Sequence, residues 1–303
     1  MAEPVPAQRL DNRGRISNVA DCLARGRTMG LTRLDAQLLL AYALGCSRTW
    51  LLAHDDAAVA NERRVIDLLA RRAAGEPLAY LVGEREFYGL ALEVTPEVLI
   101  PRTDTETLVD WAAELLLANV PSRVRLNVQP LVADLGTGSG AIALALKQAV
   151  PAAEVHACDA SPAALAVARR NGKRLGLEVR WCLGSWWQAF AKGAAFDLAV
   201  ANPPYLAADD PHLADLRHEP RTALVPQCDD GHGLAALATV IDGACAHLSA
   251  GAWLLLEHGS EQAAAVQAKL RAAGFEAVQT RADLAGQPRA TGGRWARGLK
   301  LGA

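Results

Sequence analysis

The chain has 303 residues, 51 % of them apolar, which is enough to bury a sizeable core and long enough to favour two domains over one. Lys and Arg (31) nearly balance Asp and Glu (33), so the overall basic field that drives sequence-independent nucleic-acid binding is excluded. Cys22, Cys46, Cys158, Cys182, Cys228 and Cys245 form no C-x-x-C pair, which argues against a structural zinc site or a disulfide framework.

The first residues carry Glu3 with Pro4 and Pro6 and lack an apolar stretch of signal-peptide type, and no apolar run approaches the roughly 20 residues that span a bilayer. The expected setting is the cytoplasm, with reduced thiols and no membrane association. Nothing in the sequence calls for more than a monomer.

Residues 17–81 read as short helices. Leu34, Leu38 and Tyr42 recur at four-residue spacing behind a capping box begun by Thr32 and Asp35, and Val65, Leu68, Leu69 and Arg72 outline a second amphipathic face. Gly75-Glu76-Pro77 ends the last of these helices, so residues 1–83 are expected to form a small all-α domain. Residues 84–101 then alternate and carry Phe87, Tyr88, Leu90, Leu92, Val94, Val98 and Ile100. This predicts a β-hairpin linker over residues 84–103, with Thr95-Pro96-Glu97 as its turn.

From residue 104 to 303 strands alternate with helices. The pattern predicts a helix over 106–117, a strand over 131–134, a helix over 140–149 and a strand over 154–158. A helix capped by Ser161 with Pro162 at its first position follows, then strands over 179–182, 197–201 and 253–257. Strands separated by helices imply an α/β domain with a mainly parallel, doubly wound sheet. Ligands of such sheets sit beyond the carboxyl ends of the strands.

Two motifs lie at such ends. Asp134-Leu135-Gly136-Thr137-Gly138-Ser139-Gly140 closes a buried strand and opens a helix, and its glycines let the backbone turn tightly against a ligand. Asp159, at the end of the next strand, suits a carboxylate that accepts ribose hydroxyls. The glycine loop by itself separates neither NAD from S-adenosylmethionine nor an oxidoreductase from a methyltransferase. Asp134 favours the second, because a carboxylate just before the first glycine suits a cationic methionine end better than a pyrophosphate. The competing role for Asp134 is to hydrogen-bond the loop backbone. Trp186 is a candidate adenine wall and Trp187 a packing residue.

The second motif is Asn202-Pro203-Pro204-Tyr205. Two prolines remove backbone donors and fix φ, so nearby carbonyls become rigid acceptors, and Asn202 adds a side-chain carbonyl. Two such acceptors can hold an NH₂ group. Engaging both N–H bonds of a planar amide nitrogen frees its lone pair for a methyl group held in line, and Tyr205 can stack on the planar group. Asn202, Pro203 and Tyr205 are therefore the candidate catalytic residues, with Pro204 beside them in contact with substrate. His212 and His218 lack a metal-ligand spacing, no H-E-x-x-H occurs and Ser139 is not in a G-x-S-x-G elbow, so no metal site is expected.

These residues resemble the protein-(glutamine-N) methyltransferases that modify bacterial-type peptide chain release factors, the HemK or PrmC family. The resemblance covers residues 17–295. It includes Arg71-Arg72 with Gly75-Glu76-Pro77, Glu86-Phe87-Tyr88-Gly89, the run from Leu99 to Glu106, the glycine loop, Asn202 to Tyr205, the run from Glu219 to Leu224, and the run from Leu254 to Gly259. It implies a helical N-terminal domain that recognises substrate, a hairpin linker and a seven-stranded Rossmann-like methyltransferase sheet. It implies S-adenosylmethionine as cofactor, S-adenosylhomocysteine as product, and the glutamine of a Gly-Gly-Gln loop in a release factor as methyl acceptor.

Carried over by position, Asp134, Gly136, Thr137, Gly138, Ser139, Gly140, Asp159, Trp186 and Asn202 touch the cofactor. Asn202 to Tyr205 hold the glutamine, with Phe87 and Arg102 lining its pocket. The chain departs from the family pattern at Thr103, where proline is usual, and at Ser185, where an acidic partner for the adenine amine is expected. Rival readings are a ribosomal-protein glutamine methyltransferase, an adenine amino methyltransferase of DNA or RNA, and an NAD-dependent oxidoreductase. The Pro101–Glu106 signature, the charge balance and the Asn202 motif weigh against them in turn.

Overall fold

A computed structural model describes residues 17–126, 129–191, 193–228 and 230–296. The chain divides into two compact units, residues 1–83 and 84–303.

The first unit is helical: α1 (Val19–Thr28), α2 (Arg33–Leu44), α3 (Arg48–Ala53), α4 (Glu62–Ala73) and α5 (Leu78–Val82). Short polar residues start them. Asn18 and Asp21 form a reciprocal capping box, and Thr32, Ser47 and Asn61 each accept an amide three residues on. The core joins Val19, Cys22, Leu39, Leu40, Leu51, Val65, Leu68 and Leu69. The face expected for α2 is corrected: Leu34 and Tyr42 are exposed, and Ala36, Leu39 and Leu40 point inward. Tertiary geometry explains the choice, since α1 approaches α2 so closely that a Cβ on Gly26 would sit 2.9 Å from Ala36, and only a small residue fits that contact.

The second unit begins with a hairpin, β1 (Glu84–Phe87) and β2 (Leu90–Glu93). Its turn is Tyr88-Gly89, not Thr95-Pro96-Glu97. Both turn residues have positive φ (52° and 74°), the signature of the tight turn whose twist matches paired strands. Tyr88 tolerates this because Glu106 accepts its amide at 3.1 Å and Asp110 accepts its hydroxyl at 2.8 Å. Residues 95–98 make a separate turn, closed by Val98 N–H on the Thr95 carbonyl.

Beyond a 3₁₀ turn at Thr103–Thr105 come α6 (Glu106–Leu126), β3 (Leu131–Leu135), α7 (Ala141–Ala149), β4 (Glu154–Asp159), α8 (Pro162–Leu175) and β5 (Arg180–Leu183). They are followed by β6 (Phe196–Ala201), α9 (Ala235–Ala244), β7 (Leu248–Glu257), α10 (Ala263–Ala272), β8 (Phe275–Ala282) and β9 (Pro288–Trp295). The seven-stranded sheet runs β5-β4-β3-β6-β7-β9-β8. Five strands are parallel, and β9 joins β7 and β8 antiparallel. One face is covered by a core of Leu108, Trp111, Ile142, Leu144 and Val200, the other by Phe190, Phe196, Leu237, Ile241 and Leu256. Because both faces are buried, the inner strands read as continuous apolar runs.

Candidate functional site

Strand register sets the site. Leu135 is opposite both Cys158 and Ala201, Ala201 is opposite Leu256, and Asp159 is opposite Leu183. The next residues therefore form one row along the carboxyl edge: Asp159, Gly136, Asn202 and Glu257, roughly 4.8 Å apart from strand to strand. The topology reverses between β3 and β6, where such sheets open a crevice.

The glycine loop fills the β3 end of that row. Gly136, Gly138 and Gly140 all have positive φ (76°, 56° and 85°). A Cβ on Gly138 would meet open space, which makes its backbone approachable, whereas one on Gly136 would sit 3.1 Å from the Trp186 indole. The Trp186 ring thus lies over the first glycine. Gly140 is packed by Trp181, Ala168 and Leu144, so its lack of a side chain serves packing at the start of α7. Ser139 and Thr137 are buried.

Asp134 is 0 % exposed. Its Oδ2 accepts the Thr137 hydroxyl at 2.6 Å and the Ala143 amide at 3.2 Å, so part of its role is to brace the loop and the first turn of α7. Its Oδ1 is buried without a partner among the described residues. Burial pushes the carboxyl up to about 7, against those two hydrogen bonds. Asp159 accepts the Gly138 amide at 2.9 Å through one oxygen and the Ser161 amide at 2.8 Å through the other. A carboxylate has about four lone-pair positions, so capacity remains for a ligand's hydroxyls.

At the β6 end, Asn202 donates from Nδ2 to the Thr105 hydroxyl at 3.3 Å. The Thr105 side chain adjoins the buried Glu257 carboxylate and works against the rise of its pKa, and Glu257 accepts the Tyr205 hydroxyl at 3.3 Å. Pro203 is buried, and Asn202, Pro204 and Tyr205 are partly exposed. The loop is braced from behind: Gln262 Nε2 donates to the Tyr205 carbonyl at 2.9 Å, Leu206 N–H bonds the Leu224 carbonyl, and a Cβ on Gly233 would collide with the Tyr205 carbonyl at 2.1 Å. Arg102 lies half-exposed and is paired with the buried Glu219, whose other oxygen accepts the Ile100 amide at 3.0 Å.

Phe87 is not brought to this site. It is 1 % exposed and packed in the core beneath the hairpin, so it offers a ligand almost no surface. A fully buried ring is worth about 2 to 3 kcal/mol there, which accounts for an aromatic residue before the turn. Ser185 is exposed and precedes the 3₁₀ turn that carries Trp186.

The sequence assigns no individual role to Thr105, Glu257, Gln262 or Asn171, although Thr105 and Glu257 lie within two of the runs that carry the resemblance. Glu257 carried a usable signal, a carboxylate closing the apolar run Leu254-Leu255-Leu256, the same logic that singled out Asp134. Asn171 gave only a faint one, as a weak helix former inside a helix.

A doubly wound sheet with a glycine loop and an acceptor loop side by side at the switch point defines a Rossmann-type methyltransferase. The Methyltransferase small domain family model matches residues 105–218, and the PrmC N-terminal domain model matches residues 20–83. A release factor glutamine methyltransferase of Bordetella pertussis is 50 % identical over 268 residues, covering 87 % of this chain and 95 % of that protein. One from Salmonella typhimurium is 45 % identical, with 87 % and 92 % covered. The chain belongs to the release factor glutamine methyltransferase family. In fold it is also similar to the N-terminal domain of human METTL16 in complex with SAH, with TM-score 0.51, 16 % identity, and 77 % and 84 % of the two chains covered.

Proposed function

We propose that this protein methylates the side-chain amide nitrogen of a glutamine in a peptide chain release factor, the glutamine of its Gly-Gly-Gln loop, using S-adenosylmethionine. Family membership supports the substrate class. One observation carries the chemistry: Asn202 spends its amide N–H on Thr105, which leaves its carbonyl Oδ1 as the end available at the edge of the crevice, in the same row as Gly136.

The residues present fit the cofactor. The unpartnered Oδ1 of Asp134 suits a cationic group near the first glycine, the open space beside Gly138 suits a ligand against bare backbone, and Trp186 over Gly136 offers an aromatic wall. Gly136 to Gly140, Asp134, Asp159 and Trp186 would hold it. When bound, S-adenosylmethionine supplies a methyl group already activated on a sulfonium.

The chain's own residues then have to position a poor nucleophile. Asn202 Oδ1 and the Pro203 carbonyl accept the two N–H bonds of the glutamine amide, which lets the nitrogen pyramidalise and aims its lone pair at the methyl group. Tyr205 lies along the planar carboxamide, Pro204 closes the loop beside it, and Arg102, held by Glu219, borders the entrance. No strong base is required, because the product nitrogen sheds its proton once it carries the methyl group. The setting is the cytoplasm, with a monomeric enzyme acting on protein and no direct contact with nucleic acid. Among the described residues no helix is long and apolar enough to cross a membrane.

The test is transfer of labelled methyl to a purified release factor and to its Gln→Ala variant in the Gly-Gly-Gln loop. Label in the first alone is expected. Equal label in both rejects the assigned acceptor.

A further inference from the structure

We propose that Glu257 and Thr105 form a buried polarity relay that decides which end of the Asn202 amide faces the substrate, and that both are positioning residues for methyl transfer. The proposal rests on the function set out above and deepens it.

An amide side chain is nearly symmetric in shape, and a carbonyl oxygen and an NH₂ group fit the same space. An acceptor site for a substrate NH₂ works only in one of the two orientations, because the flipped amide presents N–H to N–H. Something must therefore break the symmetry. Asn202 alone cannot do so, nor can a hydroxyl alone, since a hydroxyl both donates and accepts.

Glu257 supplies the missing direction. It is 1 % exposed and closes β7, one strand over from Asn202 in the row set by the Ala201–Leu256 pair. An ionised carboxylate only accepts. The Thr105 hydroxyl, itself 4 % exposed, adjoins that carboxylate and accepts from Asn202, so Glu257 is the acceptor toward which its own proton is drawn. Asn202 can then meet Thr105 only through Nδ2, as observed at 3.3 Å, and Oδ1 turns outward. The same carboxylate accepts the Tyr205 hydroxyl, so one buried charge orients both ends of the acceptor loop.

The second Glu257 oxygen, Oε2, is buried with no hydrogen-bond partner among the described residues. A buried carboxylate with an unsatisfied oxygen costs stability, so its place behind the acceptor loop calls for an explanation other than packing.

The charged and titratable groups around Glu257 are Tyr205, Arg289 on β9 and Asp104 in the turn before α6. Burial outweighs the Arg289 charge and pushes the carboxyl up to about 7. Below that pH the carboxyl becomes a donor, Thr105 is free to donate to Asn202, and the amide loses its enforced direction.

The experiment compares wild type, Thr105→Val, Thr105→Ser, Glu257→Gln, Asn202→Ala and the Asn202→Ala/Thr105→Val double variant. It measures kcat and KM for methyl transfer to the release factor, and cofactor affinity by calorimetry. Thr105→Val is expected to lower kcat by about 10²-fold, the scale of a misplaced reacting group, with cofactor affinity within about threefold of wild type. Thr105→Ser keeps the hydroxyl and restores kcat. In the Asn202→Ala background Thr105→Val adds less than about threefold, because there is no amide left to orient. The wild-type kcat falls as pH drops through about 7, and Glu257→Gln is slow throughout and lacks that limb.

Full additivity of the two substitutions overturns the relay, and so does a wild-type kcat in Thr105→Val. Should Thr105→Val not fold, a Glu257→Gln enzyme with wild-type kcat and pH profile overturns it equally. A wild-type protein that binds the cofactor but labels no release factor defeats the functional reading instead, which keeps the two failures apart.

Discussion

Asn171 pairs with the backbone of Glu93 as a strand would: its Oδ1 accepts the Glu93 amide at 2.7 Å and its Nδ2 donates to the Glu93 carbonyl at 3.0 Å. The second Nδ2 hydrogen reaches the Ser139 carbonyl at 2.9 Å. One side chain, fully buried on α8, thus ties the hairpin to the glycine loop, and Arg170 reinforces the tie with a two-nitrogen ion pair to the Glu93 carboxylate.

Asn171→Ala leaves the Glu93 amide and two carbonyls without the partner that a fully buried side chain now gives them. At roughly 1 kcal/mol or more per group, a loss of about 3 kcal/mol is expected, read from the midpoint of urea unfolding. Hydrogen exchange at the Glu93 amide should speed up in step. A midpoint like that of wild type would show that water replaces the side chain.

Asn202→Ala removes an acceptor from the crevice without touching the glycine loop. Turnover is expected to fall by roughly 10² to 10³-fold while cofactor affinity stays largely intact. Undiminished turnover would remove Asn202 from the chemistry.

Gly136→Ala and Gly138→Ala separate two uses of glycine. Both positions have positive φ, which costs an alanine about 1 kcal/mol. At Gly136 the new methyl also presses on Trp186 at 3.1 Å, so stability and cofactor affinity fall together. At Gly138 the methyl enters open space, so affinity is expected to fall by about tenfold or more, beyond what the backbone strain accounts for. Cofactor titration beside thermal unfolding distinguishes them, and a Gly138→Ala protein with normal affinity would deny the ligand that space.

Asp134 gives a pH signature in stability. Its carboxyl rises from 3.8 to about 7 on folding, so across that window the folded chain holds a proton that the unfolded chain releases. By linkage this group makes stability fall as pH rises through the window, with the effect complete above about 7. Urea midpoints at about pH 5 and about pH 8 should differ less in Asp134→Asn than in wild type. The same difference in both proteins would place the titration elsewhere.

Much of this was written locally. The glycine loop, the strand ends at Asp159 and Asn202, the Ser161 cap and the alternation of strands with helices all follow from short-range rules, and register then carries those strand ends into one row. The hairpin turn is not legible locally, because Thr95-Pro96-Glu97 reads as a turn and is one, whereas Tyr88-Gly89 becomes the hairpin turn only when Glu106 and Asp110 hold an aromatic residue at positive φ. The inward face of α2 is ambiguous in the sequence, because Leu34, Leu38 and Tyr42 and the true inward set share one helical period, and only the packing of α1 and α4 selects between them.

The sequence by itself determined the two motifs, their order along the chain and the parallel sheet that exposes them, because periodicity, caps and glycine turns depend on residues within a few positions of one another. Only the tertiary structure decided that Phe87 is core, that Asn171 joins the hairpin to the loop, and that Thr105 and Glu257, 152 positions apart in the chain, stand behind Asn202. The direction of a hydrogen bond depends on its partner, and for a buried amide that partner is chosen by how distant strands come to rest against each other.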